Sequence, residues 1–287
     1  MQRVCDYYLL TKPGIIQGNA LSLLAGNVLA ITLYGFNAWT TLAVFIGTSL
    51  VIGSACVFNN ILDREMDKRM PRTRDRALVR GTITPSAAAI YGTVVGVAGL
   101  AILWLWVNPL VTILGVISLV WYVLIYGYAK RTTPWSTLIG SVCGAMPPVA
   151  GYAAVTGSID LAAVILFAIL TVWQMPHFYA LAIRRRDEYA VAQWPVLPVV
   201  RGVNTTKKRI VMYMVLFCFT APLLTLAGYT GMVYFVASIA LAVYWLVVAL
   251  RTWQEPNDHK WAGRVFGISL LVLTLQSLLI AVGHILP

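Results

Sequence analysis

A chain of 287 residues in which 60% are hydrophobic and 11% charged, with a mean hydropathy of +0.80, is too apolar for a soluble domain, where roughly 25% of residues carry charge. The net charge of +11 is explained by membrane topology and by attraction to anionic headgroups. It therefore points to membrane lipid as a partner and to no nucleic acid.

A bilayer core needs roughly 20 apolar residues per helical span. The chain offers nine such stretches: 14–35, 39–62, 85–106, 108–129, 136–156, 160–182, 210–229, 231–250 and 264–286. Helices are expected because lipid offers no partners to backbone N–H and C=O groups, and the short alternating segments of a barrel are missing. Short loops and a shared charged face predict one all-α domain over residues 1–287. The first span is too long for a cleavable signal peptide and lacks a small-residue cleavage site.

Taken in chain order, Arg3 and Lys12 precede the first span, and Arg64, Lys68, Arg69, Arg72, Arg74, Arg76 and Arg80 lie between the second and third. Lys130 and Arg131 follow the fourth, and Arg184, Arg185, Arg186, Arg201, Lys207, Lys208 and Arg209 lie between the sixth and seventh. Arg251, Lys260 and Arg264 lie between the eighth and ninth, which completes the 21 basic residues of the chain. All fall on one side of a nine-span topology, so the positive-inside rule predicts a cytoplasmic N-terminus and a C-terminus on the far side. Cys56, Cys143 and Cys218 lie inside spans, without metal-ligand spacing, and read as small hydrophobes.

The second span ends in Asn59-Asn60-Ile61-Leu62-Asp63-Arg64-Glu65-Met66-Asp67. Asn59, Asp63 and Asp67 recur at i, i+4 and i+8, so they share one helix face. Carboxylates at that spacing repel, and a hard divalent ion such as Mg²⁺, which takes oxygen ligands and shares them with substrate phosphates, resolves the repulsion. Arg64, Arg72 and Arg76 beside them supply guanidinium forks suited to phosphate oxygens. The bland alternative is a solvated loop whose acids pair with its bases. Ionisable groups at the membrane boundary favour function.

The sixth span ends in a second patch, Trp173-Gln174-Met175-Pro176-His177-Phe178-Tyr179, followed by Arg184, Arg185, Arg186, Asp187 and Glu188. Pro176 can kink the helix and release a carbonyl. His177 reads either as a hydrogen-bonded core histidine or as a haem-iron ligand or base. Asp187, more than Glu188, is a candidate for a metal or diphosphate role. Trp173, Tyr179 and Arg184 are candidate substrate contacts. Tyr126, Lys130 and Arg131 close the fourth span, as an interfacial anchor or as further substrate contacts. Aromatic faces such as Tyr126 or Trp173 suit a carbocation.

The run Asn59-Asn60-x-x-Asp63-Arg64-x-x-Asp67, followed by Met70-x-Arg72-Thr73-x-x-Arg76-x-Leu78, resembles the UbiA-type intramembrane prenyltransferases. So do Thr11-Lys12-Pro13-Gly14, Trp173-Gln174-Met175-Pro176-His177 and Pro195-Val196-Leu197-Pro198-Val199. Asn-Asn in place of Asn-Asp resembles their haem-farnesylating branch, and the likeness covers nearly the whole chain. The resemblance implies nine helices around a central cavity capped by two cytoplasmic loops. It implies farnesyl diphosphate and haem B as substrates, haem O and diphosphate as products, and Mg²⁺ as cofactor. It makes Asn59, Asp63 and Asp67 a first metal site and Asp187 a second. It also implies the inner membrane of a bacterium with a periplasmic C-terminus, and downstream partners in haem A synthesis or haem-copper oxidase assembly. One departure concerns the second site: many UbiA-type enzymes carry Asp-x-x-x-Asp there, whereas Val191 stands four residues after Asp187. A quinone precursor or other aromatic acceptor is the nearest rival. A haem chaperone would not need the one-face carboxylates. A secondary transporter would place its polar groups near mid-membrane, where no Asp, Glu, Lys or Arg falls.

Overall fold

The computed structural model describes residues 2–287. The first elements are α1 (Gln2–Leu10), α2 (Pro13–Tyr34), α3 (Ala38–Asp67), α4 (Ala77–Arg80) and α5 (Pro85–Trp106). Helix α6 (Pro109–Val120) runs through a π-helical turn, Trp121–Tyr126, into α7 (Gly127–Thr132). Next come α8 (Ser136–Gly144), α9 (Met146–Thr156), α10 (Leu161–Arg184), α11 (Arg186–Val191) and α12 (Leu197–Val200). The chain ends with α13 (Val203–Thr220), α14 (Leu223–Leu226), α15 (Met232–Arg251) and α16 (Asp258–Val282). With α6–α7, α8–α9 and α13–α14 each forming one span, nine helices among the described residues are long and apolar enough to cross a membrane.

The count agrees with the apolar stretches, but several helices extend past them. Helix α3 continues to Asp67, α13 begins at Val203 and α16 at Asp258. Apolarity marks the hydrocarbon crossing, whereas caps decide where a helix starts. Asn37, Thr84, Asn108, Asp160 and Asn257 each accept a hydrogen bond from the backbone N–H three residues on, satisfying donors that the helix leaves free. Pro13, Pro85 and Pro109 occupy first-turn positions, where their missing N–H is harmless. The extension of α3 carries the carboxylate face past the apolar stretch, to the basic end of the bundle.

Between lipid-immersed helices, close backbone approach replaces the hydrophobic drive, so small residues mark the seams. Helix α3 meets α5 at Gly47 and Gly99, where a Cβ on Gly99 would lie 2.8 Å from the Gly47 carbonyl. Helix α2 meets α9 at Gly26 and Gly151, where a Cβ would overlap the carbonyls of Pro148 and Leu23 respectively. Asn27 Nδ2 donates to Gly151 O across this seam at 3.0 Å. Helix α10 is the most buried span, and it runs without interruption through Pro176. Its Trp173 Nε1 donates to Ser269 O of α16 at 3.0 Å.

Gly26→Ala and Gly151→Ala should each loosen the α2–α9 seam and lower thermal stability in detergent, by about 1–3 kcal/mol as for other overpacked cores. Gly18→Ala, whose Cβ would meet nothing within 4 Å, should melt like the unaltered protein. Equal melting of all three would show that the seam is looser than its backbone contacts indicate.

Candidate active site

At the basic end of the bundle lies a cavity of about 480 Å³. Its walls come from the α1–α2 junction, the end of α3 and the loop after it, the π-helical turn with α7, and the segment 185–194. Asn59, Asp63 and Asp67 all line it, one above the other along α3, and all three are buried. Asn60, one residue off this face, instead ties the site together from behind. Its Nδ2 donates to Leu10 O at 2.9 Å, and its Oδ1 accepts from Arg76 Nη1 at 3.2 Å.

Each carboxylate is held by a cation from elsewhere in the chain. Lys130 Nζ donates to Asp63 Oδ2 at 2.6 Å, inside a pair buried on both sides. Arg131 Nη2 lies 3.3 Å from Asp63 Oδ1 and also donates to Leu62 O. Arg76 Nη1 donates to Asp67 Oδ2 at 2.6 Å. Lys12 Nζ donates to Asn59 Oδ1 at 3.0 Å. Lys12 stands in left-handed backbone at φ 52 just before Pro13, a conformation that a non-glycine residue adopts only when its surroundings hold it. Burial pushes its pKa down, and neighbouring Arg76 lowers it further against the pull of Cys56, Asp63 and Asp67.

Five cations line the cavity against two carboxylates: Lys12, Arg72, Arg76, Lys130 and Arg185 opposite Asp63 and Asp67. Such an excess suits a polyanion that brings its own negative charge. Among the described residues no cluster of three or more His, Cys, Asp or Glu forms. The groups here that could hold a metal are therefore two carboxylates and the Asn59 amide. That set fits Mg²⁺, which commonly takes one or two carboxylates and completes its octahedron with phosphate oxygens and water.

One wall is aromatic, and the π-helical turn builds it. Tyr122 and Tyr126 stack at 5.4 Å and both line the cavity. A Cβ on Gly140 would lie 2.8 Å from the Tyr126 ring, so this ring position requires glycine there. Trp121 Nε1 donates to Ile139 O at 2.7 Å and pins the turn to α8. Lys130 Nζ lies 5.5 Å from the Tyr126 ring centre and 5.7 Å from that of Trp194. Trp194 in turn stacks on Tyr189 at 5.5 Å, and burial raises the Tyr189 pKa.

Of the residues singled out in the sequence, Asn59, Asp63, Asp67, Arg72, Arg76, Tyr126 and Lys130 meet in this cavity. Arg64 does not line it: its Nε donates to Leu78 O at 3.0 Å. Arg131 supports Asp63 from behind. Asp187 is exposed on α11, and the contact between the two loops is made by its neighbour Glu188, 3.5 Å from Arg72 Nε, and by Gln193 with Arg69 at 3.3 Å. Trp173, His177, Tyr179 and Arg184 lie along α10 outside the cavity lining. His177 stacks between Trp173 and Phe266, with ring centres at 4.9 and 4.7 Å. Sequence reasoning named Lys12 and Arg185 without assigning them to the site, and it missed Tyr122 and Trp194. Tyr122 had a signal, four residues before Tyr126, whereas nothing local announces Trp194.

Comparison with known proteins agrees with this geometry. Residues 19–271 match the model of the UbiA prenyltransferase family. The protein named "Protoheme IX farnesyltransferase" in Citrobacter koseri is 45% identical over 283 residues, covering 98% of this chain and 95% of that protein. The protein of the same name in Klebsiella pneumoniae is 45% identical over 286 residues, covering 98% and 96%. Among solved structures, digeranylgeranylglyceryl phosphate synthase shares the fold at a TM-score of 0.80 with 19% identity, covering 99% of each chain. A UbiA homologue from Archaeoglobus fulgidus bound to GPP and Mg²⁺ shares it at 0.66 with 14% identity, covering 96% of this chain and 99% of that one.

Lys130→Met should destabilise the protein by about 3 kcal/mol, because it leaves a buried carboxylate short of its nearest cation. Asp63→Asn combined with Lys130→Met should recover most of that loss. Thermal unfolding of the four proteins of this double-mutant cycle reads the coupling, and additive effects would show that the pair contributes nothing.

Proposed function

Because this chain belongs to the UbiA prenyltransferase family, we propose that it transfers the farnesyl group of farnesyl diphosphate to a vinyl group of haem B, giving haem O and diphosphate. The observation that carries this reading is the pair of one-face carboxylates, Asp63 and Asp67, in a cavity with an excess of cations. The near-full-length likeness to proteins named for farnesyl transfer to protohaem supports the choice of substrates.

In this reading Asp63 and Asp67 hold Mg²⁺ with help from the Asn59 amide. Bound there, the ion would neutralise charge building on the leaving diphosphate. Lys12, Arg72, Arg76, Lys130 and Arg185 then face the diphosphate oxygens, and they bind more tightly as negative charge develops on them. Asp187 remains a proposed outer contributor, reached if the α11 segment closes over the ligand. The C–O bond of farnesyl diphosphate breaks with both electrons leaving on diphosphate. Tyr122 and Tyr126 offer π faces to the allylic cation. The vinyl π electrons of haem form the new carbon–carbon bond, and water adds to the cation left beside the porphyrin and loses a proton. The aromatic wall with Trp194 keeps bulk water from the farnesyl cation until that bond has formed.

The nine spans make the chain a multi-pass membrane protein. We place it in the bacterial inner membrane with this cavity facing the cytoplasm, since all 21 basic residues fall on one side of the topology. Haem O would then pass to enzymes of haem A synthesis or to the assembly of a haem-copper oxidase.

Purified protein incubated with haem B, farnesyl diphosphate and Mg²⁺ should yield haem O by mass spectrometry. Chelation by EDTA should stop the reaction and Mg²⁺ should restore it. Asp63→Ala and Asp67→Ala should each lower turnover at least about 100-fold, the scale of losing one charge contact to a transition state, and Asn59→Ala should lose less. Full activity of either aspartate variant at normal protein level would remove the metal assignment. A reporter fused after Pro287 should read as periplasmic and one inserted at 72–80 as cytoplasmic; the reverse would invert the proposed orientation.

A further inference from the structure

Outside the cavity lies His177, a buried titratable side chain with no part in the chemistry above. Of the three histidines, His259 and His284 are exposed, and His177 alone is buried within the bundle. Its surroundings fix both its position and its proton. Trp173 and Phe266 stack on its two sides at interplanar angles of 23° and 28°, and Phe178 meets its edge at 5.0 Å. Trp173 and His177, one turn apart on α10, both engage Ser269 of α16, Trp173 at the backbone carbonyl and His177 Nδ1 at the hydroxyl, 2.7 Å away.

The Ser269 hydroxyl has one hydrogen. Ser269 Oγ lies 2.5 Å from Phe266 O, and two oxygens approach that closely only with a hydrogen between them. The hydroxyl therefore donates to Phe266 O and has only lone pairs left for the imidazole. Nδ1 must be the protonated nitrogen, donating to Ser269 Oγ. Nε2 consequently carries the lone pair, and it makes no hydrogen bond with the described residues. An imidazole whose Nδ1–H is held by an oxygen, whose ring is clamped, and whose Nε2 is free is arranged as a metal ligand, the supporting bond fixing the tautomer and raising the basicity of the ligand.

We propose that His177 Nε2 is an axial ligand to the iron of the porphyrin acceptor. This rests on the function proposed above, and it adds the anchoring atom and the tautomer. Arg184 lies seven residues on, on nearly the same face and about 10 Å along the axis. That distance is comparable to the reach from a porphyrin iron to its carboxylates. The Arg184 guanidinium sits 5.4 Å from the centre of the Phe266 ring, and its buried Nε has no partner. It is a suitable contact for one carboxylate of the porphyrin.

The full-length protein, titrated with haem B in detergent or nanodiscs, tests this directly. The unaltered protein should show an iron–histidine stretch in the resonance Raman spectrum of its ferrous haem. His177→Ala should lose that band, shift the Soret maximum and bind haem at least about tenfold more weakly. Added imidazole should restore the spectrum, and Mg²⁺-dependent binding of farnesyl thiodiphosphate should persist. Ser269→Ala should keep the band but move it to lower frequency, because the histidine loses its Nδ1–H acceptor. If His177→Ala does not fold, absence of the iron–histidine band from the unaltered protein overturns the proposal. So does an unaltered Soret band and haem affinity in a folded His177→Ala. Haem O formation by the unaltered protein alongside either result would leave the proposed reaction standing and remove only the ligand. A histidine-ligated haem that is never farnesylated would do the opposite.

Discussion

Two carboxylates taken out of water at the end of α3 set the terms for everything around them. An ion moved from water into a protein interior loses several kcal/mol of effective solvation unless partners replace it. Asp63 and Asp67 are both buried, so cations must reach them, and for Asp63 the nearest comes from a segment far along the chain. Lys130 stands 67 positions from Asp63 and meets it at 2.6 Å. Arg76 turns back from the following loop to meet Asp67, and Lys12 reaches Asn59 from the start of α2. The packing of α2, α3 and α7 around one point is the geometric consequence of that requirement.

The same ion pairs give the site its chemical character. A cavity whose carboxylates are already neutralised, with cations to spare, has little use for a further cation by itself. A divalent ion arriving with a diphosphate changes this balance. The carboxylates can turn to the metal, and the lysine and arginines can turn to the phosphate oxygens, without a bare charge being left in the low-dielectric interior. Metal and anion are therefore expected to bind together, which suits a reaction whose transition state gathers charge on the leaving group.

Backbone proximity supplies the other half of the arrangement. Glycines at the α3–α5 and α2–α9 seams bring helices close enough for main-chain contact. The π-helical turn widens the fourth span locally, as such turns do at functional sites, and brings Tyr122 and Tyr126 onto one wall. Gly140 on α8 leaves the space that the Tyr126 ring fills. Along α10 the seam with α16 is polar where it crosses Ser269, and that seam fixes the orientation of His177.

Much of this was legible in the residues alone. Nine apolar stretches, all 21 basic residues on one side, and Asn59, Asp63 and Asp67 on one face follow from hydropathy and from the 3.6-residue period, which are local properties of a chain. The partners of those side chains are not local. That Lys130 rather than a nearer basic residue meets Asp63, that Asp187 faces outward while Glu188 meets Arg72, and that Trp194 closes the cavity all depend on how distant segments pack. The two readings left open for His177, core residue or ligand, show the same division. Sequence placed it near the basic end of a buried helix. Only the meeting of α10 with α16 put Nδ1 against a hydroxyl that had already given its proton to Phe266 O, because a tautomer is set by the hydrogen-bond partners that folding brings within 3 Å.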